Sequence, residues 1–164
     1  MRPFLSLLLV TLLGLSSALS QDNVTVALEG YIVTLEEAAD GTVTEMFEPA
    51  ETANPGDLVE YRLELVNVSN ETLDGELFAT GPVPANTFYL EGTALEGADY
   101  RLQFSADGGE TFEEAPLTEQ ITNEQGETEE VIIDPTDYNA VRWILLTPLA
   151  AEESRTLVYR VEVR

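Results

Sequence analysis

Asn54-Pro55-Gly56-Asp57-Leu58-Val59-Glu60-Tyr61-Arg62-Leu63-Glu64-Leu65-Val66-Asn67 decides the fold of this chain. Pro55 fixes φ and Gly56 supplies a positive φ, so the first four residues form a tight turn. From Leu58 onward the pattern has period two. Val59, Tyr61, Leu63 and Leu65 fall on one side, and Glu60, Arg62 and Glu64 on the other. That alternation predicts an antiparallel strand with one face buried and one wet.

The same signature recurs outward in both directions. Residues 24–28 alternate, 31–35 continue the extended stretch, and 42–47 form a shorter strand after the Asp40-Gly41 turn. Ser69-Asn70 turns the chain toward a strand at 73–80, interrupted by Asp74-Gly75. Gly81-Pro82-Val83-Pro84 cannot lie in a central strand, because proline donates no ladder bond, and it reads as a crossing or corner. Residues 87–90 and 100–105 are further strands. Residues 118–130 read as a polar, acidic loop before Val131-Ile132-Ile133. Residues 141–146 are a continuous apolar run, expected as a strand buried on both sides. Residues 156–164 alternate again, with Leu157, Tyr159, Val161 and Val163 inward and Val158, Arg160 and Glu162 outward. Only residues 35–39 suggest a helical turn. Eight or nine short strands with regular turn signals predict an all-β, antiparallel β-sandwich.

The front of the chain reads differently. Met1-Arg2-Pro3 precedes an apolar run over residues 4–15, and small residues follow at Ala18 and Ser20. One positive charge, a short apolar core and a small-residue exit spell a secretory signal peptide over residues 1–20, cut near Ser20-Gln21. The run is short for a bilayer span. The expectation is an exported protein with no transmembrane span in its mature chain. Residues 21–164 would form one domain, placed outside the cell, in the periplasm or in the envelope.

Composition prunes the chemistry. The chain carries 31 Asp plus Glu, seven Arg and no Lys, for a net charge of −24, which becomes −25 once Arg2 is removed with the leader. Such a charge repels nucleic acid and anionic lipid. Disorder is the usual alternative for a strongly charged chain, but 44% hydrophobic residues in ordered alternation argue against it. Without Cys there are no disulfides and no thiol nucleophile, and without His there is no Ser-His-Asp triad or histidine zinc site. Without Lys there is no Schiff base.

Two groups of motifs carry a resemblance. The stretch at 54–67 is followed by Pro84-Ala85-Asn86-Thr87-Phe88-Tyr89-Leu90-Glu91-Gly92-Thr93-Ala94, and Ala140-Val141-Arg142-Trp143 precedes the closing strand that begins at Ala151. Together they resemble the conserved-repeat domain of unknown function found in bacterial cell-surface proteins. The resemblance implies an immunoglobulin-like sandwich with a structural or adhesive role at the envelope and no shared catalytic residues. Two positions depart from the family pattern. Gly81 stands where the family often has Asp, and Glu152-Glu153 stands where it commonly has Gly. A second, smaller match, Ser105-Ala106-Asp107-Gly108-Gly109-Glu110-Thr111-Phe112, resembles the Asp-box hairpin of sialidases. There the Asp accepts backbone N–H bonds across a turn and the aromatic packs beneath it.

The remaining candidates are weighed against plain surface roles. Calcium is the small ligand that the acidic residues suit best, since hard cations take six to eight oxygens. Asp134, Asp137 and Asp107 are the candidate ligands, near Glu110 and the acidic run of Glu124, Glu127, Glu129 and Glu130. None of this matches an EF-hand loop. A pair of carboxylates across a cleft could hydrolyse a glycoside. Trp143 in its apolar run is expected in the core rather than on a sugar platform. Asn23, Asn67 and Asn70 each begin a glycosylation sequon. The expected function is a non-catalytic envelope module that binds or scaffolds through strand edges, with other surface proteins or its own copies as partners. A calcium-stabilised extracellular module and a small carboxylate hydrolase are the alternatives.

Overall fold

The alternating stretch becomes β3 (Leu58–Asn67), the middle strand of the larger sheet. The computed structural model of the chain describes residues 23–123 and 126–164, so the leader at 1–20 and Glu124 lie outside the described residues. β1 (Val24–Glu37) and β10 (Ser154–Val163) flank β3. β2 (Val43–Pro49) borders β1, and β5 (Thr87–Tyr89) borders β10, giving the order β2-β1-β3-β10-β5. A smaller sheet has the order β4-β9-β6, from Phe78–Pro82, Ala140–Leu145 and Tyr100–Ser105. β7 (Thr118–Thr122) and β8 (Thr128–Ile132) pair only with each other. Every pairing is antiparallel.

The two larger sheets close on one core. Val59, Tyr61, Leu63, Leu65, Leu157, Tyr159 and Val161 are buried on the inner face of the large sheet, and Ala79, Phe104, Val141 and Trp143 on that of the small one. Trp143 is fully buried, 5.9 Å from the Tyr159 ring, and its indole N–H donates to the Leu95 carbonyl at 3.0 Å. Tyr89 and Phe104 meet across the layers at 5.3 Å. Side chains of this size contribute about 1.5–3 kcal/mol each on burial. The result is an all-β antiparallel sandwich. Among the described residues there is no α-helix, only a 3-10 turn at Pro135–Asp137, and no helix long and apolar enough to cross a membrane.

Turn chemistry behaves as its residues dictate. Gly56 has φ +90°, its N–H donates to Val163, and the Asp57 carboxylate accepts from the Asn54 N–H. Residues 83–86 carry the chain from the small sheet to the large one, with Asn86 at φ 66°. Pro82 sits in β4, an edge strand, where a missing N–H is tolerated.

Four expectations need correction. The described residues hold ten strands, not eight or nine. The acidic segment at 118–130 is no loop but the β7–β8 hairpin. Both its faces are wet, so it shows no in–out alternation to read. The strand expected at 73–80 begins only at Phe78, with Leu73 making an isolated bridge to Leu149, because Asp74-Gly75 breaks the extended run. Residues 35–39 do not form a helical turn, since Leu35 and its neighbours extend β1 to Glu37 against β2.

Candidate interaction site

β2 is the exposed edge of the large sheet. All seven of its residues are exposed, and its outer edge has no strand partner among the described residues. The β1–β2 ribbon runs past the end of β3, whose pairing with β1 stops at Val33. Leu35 (69% exposed), Val43 (56%) and Met46 (45%) therefore stand free of the core, with Phe47 beside them. An edge strand with unpaired backbone and apolar side chains is a template for strand addition.

Two arginines fasten this ribbon to the sheet's outer face. Arg160 donates through Nη1 and Nη2 to the two Glu45 oxygens at 2.8 and 2.7 Å, and through Nε to Glu60 at 2.9 Å. The Arg160 hydrogen bonds hold Glu45 below the usual carboxylate range, and Glu45 in turn raises Arg160. Arg62 also donates to Glu60, at 2.8 Å, and its guanidinium lies 4.5 Å from the Tyr31 ring and 4.6 Å from Phe47. Glu60 was expected on the wet face, yet it is 6% exposed, because both arginines cover it. A buried carboxylate is tolerable when paired and hydrogen-bonded in this way.

The outer face of the small sheet has another character. Arg142 rises from β9 between two rings, 3.4 Å from Phe112 and 4.7 Å from Phe78. Its Nε donates to Thr80 Oγ1 at 3.3 Å. Burial lowers its pKa, and no carboxylate pairs with it among the described residues.

The candidate cation ligands are occupied within their own turns. The Asp107 carboxylate accepts from the Thr111 hydroxyl at 2.5 Å, from the Thr111 and Glu110 N–H groups at 3.0 Å, and from Ser105 Oγ at 2.8 Å. The Thr111 hydrogen bonds, with those of Ser105 and Glu110, hold it far below the usual Asp range. The turn is tied to the segment after the 3-10 turn by Gly108 N–H donating to Asn139 Oδ1 at 3.0 Å. Asp134 caps the 3-10 turn, accepting from the Thr136 N–H and hydroxyl at 2.9 and 2.7 Å, which lowers its pKa. Asp137 is exposed in that turn. Among the described residues no three acidic side chains converge on one point.

Asn67 belongs to the interior. It is fully buried, and its Nδ2 donates to the carbonyls of Glu71, Leu149 and Ala150 while its Oδ1 accepts from Ser69. Its sequon is closed to modification in the folded chain. An apolar cavity of about 220 Å³ opens at one end of the sandwich, lined by Ala50, Ala53, Val59, Tyr61 and Val163. That is smaller than ordinary ligand pockets of about 300–1,000 Å³. No protein family, curated protein or solved structure matches the chain.

Proposed function

We propose that the protein is an exported, non-catalytic structural or adhesive module of a bacterial envelope. It belongs to the immunoglobulin-like sandwiches and resembles the conserved-repeat domains of surface proteins, and it makes its contacts through strand edges. The observation that carries this reading is β2, a fully exposed edge strand bearing Val43, Met46 and Phe47 beside Leu35. The chain's chemistry agrees. It has no His, Cys or Lys, and the carboxylates with perturbed acidity serve turns and ion pairs.

Site-specific photo-crosslinking from position 43 in intact cells tests it. The expected result is a discrete adduct with another envelope protein or a second copy, lost in Met46→Lys, which places a charge on the edge. Recovery of the protein inside the cytoplasm, or as an uncrosslinked species everywhere, overturns it.

A further inference from the structure

We propose that the outer face of the small sheet binds the β7–β8 hairpin of a second copy, joining copies head to tail. The inference rests on the assembly reading above but not on the β2 edge.

The face stands out by its charge. In a chain with 31 acidic residues, none of β4, β6 and β9 contains an Asp or Glu. The face instead presents Arg142 and Arg101, together with Phe78 (48% exposed) and Leu146 (53%). The two rings cover the faces of the Arg142 guanidinium, and Thr80 takes Nε, so Nη1 and Nη2 have no protein acceptor among the described residues. Arg101 has only a loose contact with exposed Glu114, at 3.9 Å. A stacked guanidinium with a free N–H edge is set up for a carboxylate.

The hairpin is the complementary surface. Its register places Glu119 opposite Val131 and Ile121 opposite Glu129, so these four side chains share one face. Ile121 is 43% exposed, and neither strand pairs with the body. A lone two-stranded hairpin is marginal in water, and this one carries an apolar pair flanked by two carboxylates. The sheet face carries an apolar pair flanked by two arginines. The two surfaces differ, so the contact is heterologous and propagates instead of closing on a twofold axis. Long-range repulsion between two acidic copies is screened at about 0.15 M salt, where the Debye length is about 8 Å, while contact pairs persist.

Sedimentation velocity of the mature chain at that ionic strength tests the proposal. Wild type is expected to associate with rising concentration. Arg101→Glu/Arg142→Glu should be monomeric, and so should Glu119→Arg/Glu129→Arg, whose exposed sites carry little folding risk. The chain with all four changes should associate again, with Trp143 fluorescence verifying the fold of each variant. Wild type that stays monomeric up to about 1 mM, the range of the weakest contacts, overturns the proposal. So does association that survives the hairpin variant, or association abolished by Met46→Lys, which would assign the contact to β2.

Discussion

Trp143 shows how much one residue can hold. It is fully enclosed, lies tilted against Tyr159 and spends its only side-chain donor on the Leu95 carbonyl. Trp143→Ala leaves a large cavity and an orphaned carbonyl, and the expected cost is about 3–5 kcal/mol. That is a large part of a typical domain's stability. The wild-type indole should emit to the blue and resist iodide. Two backbone positions, Gly81 and Glu152, also have residue-level explanations. Gly81 packs under Tyr159, and a Cβ there would lie 2.6 Å from the ring. Any side chain there would have to displace a core aromatic. Glu152 holds φ at 60°. A left-handed conformation costs a non-glycine residue about 1–2 kcal/mol, and glycine's extra unfolded-state freedom returns part of that. Glu152→Gly should therefore raise the urea midpoint, by up to about 1 kcal/mol in stability, while Gly81→Ala should lower it.

At the scale of elements, what could be read depended on whether burial left a pattern. β3 and β10 each have one dry face, and both were legible because alternation is the imprint of that asymmetry. β7 and β8 have no dry face, so their Thr, Glu and Gln residues look like a solvated loop. Register rather than burial holds them, with Thr118 Oγ1 donating to Glu130 at 2.7 Å across the pair. β2 was visible as a strand, but its status as an edge was not, since that is a property of the sheet's order. The acid-free strands of the small sheet were in plain view as a charge pattern, yet only topology gathers Arg101 and Arg142 onto one face. The local hydrogen bonds of the Asp107 turn were legible, but its tie from Gly108 to Asn139 and the stacking of Phe112 on Arg142 were not, because both span distant parts of the chain. Asp107→Ala removes the acceptor for Thr111 and Glu110, so amide exchange at those two positions should quicken and the melting temperature should fall. Asp107→Asn keeps one carbonyl acceptor and should lie between.

At the scale of the molecule, net charge and local carboxylate bonding pull in opposite directions. The chain sets seven arginines against 31 acids, and self-repulsion of that size opposes the compact state. Salt should therefore raise the melting temperature near pH 7 by screening. The gain should shrink as acid neutralises the surface. Asp107, Asp134, Glu45 and Glu153 act with the opposite sign. Hydrogen bonds hold each of their pKa values below the ordinary value. A depressed folded value contributes stability that is complete above the unfolded value, near pH 4. That stability is lost as pH falls through the folded value. The pH profile of the melting temperature should thus turn down below about pH 4, and Asp107→Asn, which removes one of the titrating groups responsible, should lower the plateau and make the downturn shallower. A calcium-stabilised module would add a third term, RT ln(1 + [L]/Kd), for calcium alone. Both oxygens of Asp107 and Oδ1 of Asp134 already accept hydrogen bonds in their turns, and no group of three acidic side chains forms among the described residues. Equal melting temperatures in calcium and magnesium at matched ionic strength are therefore expected. A rise in calcium alone that disappears in Asp134→Asn/Asp137→Asn would place a specific site at the 3-10 turn.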